Sequence, residues 1–271
     1  MRLTKQEGPK NIQHHQRAKF YLLPQAEFSA SKSGDLWTNW TQARIVGGSM
    51  AAPNEFPWMA MLFYQNLTTF TSISYCAGSL INNRYVLTAA HCVHDLPGDL
   101  ILKKVRFGEH NISTNPDCNI RRTYCAPRHV EINVESIILH SQLNKSPRKR
   151  FENDIALVRL KIPIRYTKEI RPICIEGHYN IPANATFLIA GWGKTEDRSR
   201  SEVLMRTTIQ NRRPQVCMGE FTNVDFDPRS QICAGGLDGN DTCSGDSGAP
   251  LMMFIGHGFD QVVYQVAFRH E

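Results

Sequence analysis

No stretch of the chain is long and apolar enough to cross a bilayer as a helix, which takes about 20 residues, so no membrane span is expected within it. The opening Met1-Arg2-Leu3-Thr4-Lys5-Gln6-Glu7 contains no hydrophobic core of a secretory leader, so no signal is read there. No two cysteines stand in CxxC spacing, which removes the common zinc-binding pattern. Residues 1–43 hold no cysteine and no hydrophobic periodicity, and are expected to be largely disordered. A large charge excess is lacking as well. The 31 Lys and Arg against 25 Asp and Glu leave a net +6, read as a solvated basic face rather than attraction to acidic surfaces, and no nucleic-acid partner is expected.

The remaining composition is that of a globular protein. Hydrophobic residues make up 41% and charged residues 21% of 271 residues, enough to bury a core in one or two domains. Eight cysteines lie in separated short motifs, which indicates disulfides and an oxidising compartment. Cysteine usage and the N-terminus therefore point in different directions. The cysteines carry more weight, and a secreted, extracellular protein is expected.

Short apolar runs recur with turn signals between them. They include Trp58–Phe63, Ser79–Ile81, Tyr85–Leu87, Val105–Phe107, Ser136–Leu139, Ile155–Val158 and Phe187–Ala190. Asn82-Asn83 reads as a hairpin turn, and a short helix is expected near Pro214–Cys217. Many short strands at this spacing predict an all-β barrel or barrels.

The chemistry centres on Asp241-Thr242-Cys243-Ser244-Gly245-Asp246-Ser247-Gly248-Ala249-Pro250, followed by the apolar run Leu251–Phe254. A serine between glycines sits on an open turn, where backbone N–H groups can face an oxyanion. Taken alone, the run is equally a surface turn. A serine nucleophile needs a base, and the base needs an orienting group. His91 follows the strand Tyr85–Leu87, and Asp154 opens the strand Ile155–Val158. Each is singly a loop histidine or a strand cap. Together, in the order His, Asp, Ser, they match one of the known chain orders of the catalytic triad.

With these motifs in place, the sequence resembles the chymotrypsin-fold, trypsin-like serine proteases. Within them it is similar to the catalytic domain of arthropod clip-domain proteases of the easter and prophenoloxidase-activating type. Arg44-Ile45-Val46-Gly47-Gly48, Pro57-Trp58, Cys76–Ile81, the His91 and Asp154 motifs and Arg171–Cys174 carry the resemblance. So do Gly191–Thr195, Cys233–Gly236, the Cys118–Cys125 insertion and the Ser247 motif.

The resemblance implies an all-β fold of two six-stranded antiparallel barrels, the second incomplete at the C-terminus. It implies residues 1–44 as a pro-segment without a clip domain and 45–271 as a trypsin-like domain, C-terminally truncated. His91, Asp154 and Ser247 would be catalytic, and the amides of Gly245 and Ser247 would form the oxyanion hole. Asp241, six residues before Ser247, would lie at the base of the primary pocket and select Arg or Lys; a plain turn aspartate is the alternative. Cleavage between Arg44 and Ile45 would free an ammonium to pair with Asp246. Ala249 stands where the family has a second glycine, and its methyl is expected to be tolerated or to crowd Ser247.

The family pattern pairs Cys76 with Cys92, Cys118 with Cys125 and Cys217 with Cys233, and leaves Cys174 and Cys243 unbonded to each other. Glu109, Asn111, Thr114 and Asp117 resemble the family's calcium loop; a solvated acidic turn is the alternative, and both stay open. No other cofactor is implied. Of six Asn-X-Ser/Thr sequons, those at Asn66 and Asn144 read as glycan acceptors and the one at Asn240 as bare. The implied partners are a protein substrate such as a downstream zymogen, an upstream activating protease and a serpin-type inhibitor. After Tyr264-Gln265-Val266 the sequence leaves the family pattern at Ala267. A poor protease, or a non-catalytic decoy, is therefore the alternative to an active enzyme.

Overall fold

The computed structural model describes residues 48–118, 123, 125–143, 146, 151–175, 180–194, 200–220, 222, 225–228, 230–235, 246–256 and 262–268. Arg44, Ile45, Asp241, Cys243 and Gly245 lie outside the described residues, as do the sequons at Asn39, Asn144 and Asn240 and the boundary expected at residue 44.

Six strands close into a barrel: β2 (Met59–Asn66), β3 (Ser72–Leu80), β4 (Tyr85–Thr88), β5 (Leu100–Phe107), β6 (Val130–Leu139) and β7 (Ala156–Leu160). Their order around the barrel is β2-β3-β4-β7-β6-β5, all antiparallel. In β7, Ala156, Val158 and Leu160 point inward while Leu157 and Arg159 are partly exposed, the two-residue alternation of a strand with one buried face. Leu62, Tyr64, Leu80, Val86, Val105, Phe107, Val158 and Leu160 fill the interior. Burying an aliphatic or aromatic side chain of this size contributes roughly 1.5–3 kcal/mol. The turn expected at Asn82-Asn83 joins β3 to β4, and Asn82 Oδ1 accepts the amides of Arg84 (2.9 Å) and Tyr85 (3.0 Å).

The second layer is an open seven-stranded sheet. Its order is β1 (Ser49–Met50), β10 (Met205–Asn211), β9 (Thr186–Gly191), β12 (Pro250–Ile255), β13 (Val262–Phe268) and β8 (Cys174–Ile175), with β11 (Ala234–Gly235) paired to β10. The pairs are antiparallel except β8–β13, a two-residue parallel contact. One closed barrel and one incompletely closed sheet match the expected architecture. The helix α1 (Pro214–Glu220) begins at proline, whose missing N–H costs nothing in a first turn.

Bonds Cys76–Cys92, Cys118–Cys125 and Cys217–Cys233 are all formed. Cys174 carries a free thiol, and burial pushes its pKa up. No helix among the described residues is long and apolar enough to cross a membrane.

Candidate active site

Ser247 sits on a tight turn. The Ala249 amide donates to the Asp246 carbonyl at 2.9 Å, and Gly248, third of the four residues, has φ +80°. A left-handed third residue is the mark of a type II turn and favours glycine. A Cβ on Gly248 would lie 2.2 Å from Thr88 Oγ1 and 2.4 Å from the Ala77 carbonyl, so glycine is required there by space as well. The turn is tied to the barrel: the Ser247 carbonyl accepts the Ala77 amide at 2.9 Å. Ala249 is 2% exposed in a cluster with Phe56, Met59, Trp192 and Met252. Its methyl is thus absorbed as core.

His91 lies in a single 3₁₀ turn, Ala90–Cys92, directly after β4. Asp154 lies just before β7, and its side chain is 1% exposed. The carboxylate holds the histidine twice. Oδ1 accepts the His91 amide at 2.8 Å, and Oδ2 lies 2.6 Å from Nδ1. The Ala90 amide also donates to the Asp154 carbonyl at 3.2 Å. A carboxylate at Nδ1 favours the tautomer with its proton there, which leaves Nε2 with a free lone pair.

The third member is not hydrogen-bonded to the pair. Ser247 Oγ is buried without a hydrogen-bond partner, and His91 Nε2 lies 3.7 Å from Cys92 Sγ. In unliganded sites the bond from nucleophile to base is often long and tightens only with substrate. The Cys76–Cys92 bridge fills the space between the two elements, with Cys92 Sγ 3.5 Å from the Ser247 carbonyl oxygen.

Asp246 is 4% exposed. The Gly193 amide donates to its Oδ1 at 2.7 Å. A Cβ on Gly191 would lie 1.9 Å from Oδ1, and one on Gly193 2.5 Å from Oδ2. The Gly191-Trp192-Gly193 run is therefore a carboxylate seat, a role its sequence did not disclose.

Glu109, Asn111, Thr114 and Asp117 do share one loop, but their side-chain oxygens face internal donors. Glu109 Oε2 accepts from Arg106 Nη1 at 2.9 Å and lies 3.2 Å from His129 Nδ1. Asp117 Oδ2 accepts the amides of His110 (3.1 Å) and Asn111 (3.0 Å), and Thr114 donates its hydroxyl to Oδ1. Asn111 Oδ1 accepts the Ser113 amide at 3.0 Å. Burial raises the Glu109 pKa, partly offset by Arg106. In this arrangement the loop does not fit a divalent cation, because a guanidinium already neutralises Glu109. Among the described residues, Cys76, His91 and Cys92 are the group bringing three candidate ligand atoms within 4.8 Å, and two of these are a disulfide.

The trypsin family model matches residues 45–259. Melanization protease 1 of Drosophila melanogaster is 38% identical over 240 residues, covering 86% of this chain and 58% of the relative. The Spaetzle-processing enzyme of the same species is 40% identical, covering 82% and 58%. The crystal structure of the Drosophila Grass clip serine protease of the Toll pathway matches with a TM-score of 0.67 at 33% identity, covering 85% of this chain and 65% of that one. The chain thus spans under two thirds of the length of these relatives. The match across residues 45–259, with the His91–Asp154 pair beside the Ser247 turn, establishes that the chain belongs to the trypsin family of serine proteases.

Proposed function

We propose that this chain is a serine endopeptidase of trypsin-like specificity, made as a zymogen and activated by cleavage between Arg44 and Ile45. The observation that carries this is the buried Asp154 carboxylate holding His91 Nδ1 at 2.6 Å, beside a serine on a glycine turn. Ser247 Oγ attacks the scissile carbonyl, and His91 Nε2 takes its proton and returns it to the leaving amine. Asp154 stabilises the imidazolium. The amides of Ser247 and Gly245 would hold the oxyanion, where one donor is worth about 2.7–4 kcal/mol. Asp241 would select Arg or Lys by charge. The Ile45 ammonium would join Asp246 in its glycine seat. Calcium enters only as an ion that displaces Arg106 from Glu109, which a chelator-sensitive melting temperature would reveal.

The names of the relatives place one in melanization and one in Spaetzle processing. For this chain we propose an extracellular cascade, consistent with three disulfides. An upstream protease cutting after Arg would activate it, its substrate would be a secreted precursor or zymogen, and a serpin-type inhibitor would control it. A second reading, a non-catalytic binding module, has one observation in its favour: Ser247 Oγ makes no hydrogen bond.

A fluorophosphonate label after cleavage before Ile45 decides between them. The protease reading expects labelling that Ser247→Ala abolishes, and hydrolysis after Arg that Asp241→Ser abolishes. Absence of label from the cleaved chain selects the binding module, and equal cutting after Leu rejects the assigned specificity.

A further inference from the structure

Arg200 is a half-buried cation that the triad chemistry does not use. Its Nη1 donates to Ser74 Oγ at 3.2 Å, while its Nε is buried without a hydrogen-bond partner. The backbone fixes where this charge lies. Arg200 and Lys194 form an antiparallel bridge, and the Ser201 amide donates to the Gly193 carbonyl at 3.0 Å. The amide of that same Gly193 holds Asp246 Oδ1 at 2.7 Å. Residue 200 is thus clasped to the segment that seats the carboxylate. The two groups sense each other: burial lowers the Arg200 pKa and the Asp246 charge pulls it back up. Removing a guanidinium from water is costly unless a carboxylate compensates it, and removing Asp246 from water carries the mirror-image cost.

We propose that Arg200 is a positioning residue for Ser247: it supplies an internal cation against which Asp246 is buried, and so orders the Asp246–Ser247 turn in the uncut chain. Ser74 anchors the guanidinium, Gly193 transmits its position, and the turn Asp246–Ala249 carries it to the nucleophile. This rests on Ser247 being a nucleophile. It does not require the Ile45 ammonium, which adds a second cation after cleavage. The expected consequence is basal reactivity of the serine before activation, at a level set by Arg200.

The test uses the full chain with Arg44→Gln, which blocks cleavage, and reads the rate of fluorophosphonate labelling at Ser247. Arg200→Met should lower that rate at least tenfold, and Arg200→Lys, which keeps the charge, should restore most of it. Arg200→Gln keeps a donor for Ser74 without charge; it should match the Met variant and replaces it if that protein does not fold. Rescue by Lys but not by Gln separates charge from packing. The proposal is overturned if the uncut parent does not label, if the neutral variants label like the parent, or if Lys falls as far as Gln. Parallel labelling of the cleaved chain separates the causes. A chain that labels only when cut leaves the protease reading standing and removes Arg200 from it, whereas no label in either form removes both.

Discussion

The amide of Gly193 and the carboxylate of Asp246 meet at 2.7 Å across 53 residues of sequence, and no side chain fits between them. A Cβ on Gly193 would stand 2.5 Å from Asp246 Oδ2, well inside contact distance. Gly193→Ala must therefore push the carboxylate out of its seat and take Ser247 with it. Overpacking of this kind costs about 1–3 kcal/mol. The expected result is a lowered urea midpoint and at least a tenfold loss of labelling at Ser247. Gly219→Ala is the control: nothing lies within 4 Å of a Cβ there, and the residue is helical, so stability should hold or rise. Equal behaviour of the two variants would mean that the seat does not matter.

Asp154 contributes by orientation. Its carboxylate accepts from both the amide and Nδ1 of His91 at 2.8 and 2.6 Å. Asn at 154 keeps the shape but offers one acceptor and one donor, so the imidazole turns its proton toward Ser247. Asp154→Asn should lower kcat by about 10⁴-fold with KM little changed. A loss of under tenfold on an Arg peptide would show that His91 is held by other means.

The disulfides divide by burial. Cys76 and Cys92 are 2% and 0% exposed, and their bridge packs beside both His91 and the Ser247 carbonyl. Cys125, by contrast, is exposed. The separations of 16 and 7 residues alone give similar chain-entropy contributions, about 2–3 kcal/mol each. Packing makes the difference. Replacing Cys76 and Cys92 together by Ser should cost more stability than replacing Cys118 and Cys125, and should also abolish labelling. Chemical denaturation and labelling of both double variants check this; the reverse order would refute it.

What the sequence disclosed depended on how local the signal was. Strands β2, β4, β7 and β9 were legible because their apolar residues run together or alternate over a few positions. The turn at Asn82 was legible because its side chain bonds two residues ahead. The motifs around His91, Asp154 and Ser247 stood out because each is short and contiguous. β10 was not anticipated, although Met205, Thr207 and Ile209 are buried in alternation, because arginine and threonines dilute the apolar signal. Arg200 could not be found at all. It stands in the polar run Arg198-Ser199-Arg200-Ser201, which reads as solvated loop. Only the pairing of Lys194 with Arg200 carries it to Gly193. In the 109–117 loop the oxygen residues were recognisable; the Arg106–Glu109 pair is local, three residues apart, but His129 reaches Glu109 only because the segment leading into β6 lies beside β5.

Acid should weaken the fold through its partly buried histidines. His110 joins that loop to the second sheet: its carbonyl accepts Trp192 Nε1 at 3.2 Å and the Leu204 amide at 2.8 Å. Its own Nδ1 is buried without a partner. Burial holds its pKa below the ordinary histidine value of about 6.5, against the pull of Asp117 and Glu55. His129 is shifted the same way, chiefly by burial and secondly by Arg106. The folded chain therefore keeps these rings neutral, whereas the unfolded chain protonates them near their ordinary value. Their contribution is fully present above about pH 6.5 and is lost as pH falls from there through the depressed folded values. Glu109 works in the opposite sense. Its raised pKa makes the folded chain hold the proton more readily, so its contribution is present below the ordinary carboxylate range and lost as pH rises through the raised value. It can offset the histidines but cannot cause an acid loss. The urea midpoint should fall between pH 7.5 and 5.5, and His110→Asn should flatten that fall. Because the His110 carbonyl bonds Trp192, between the two glycines of the Asp246 seat, labelling at Ser247 should decline over the same interval in the parent and less in the variant. An acid loss of equal size in both proteins would place its origin outside His110.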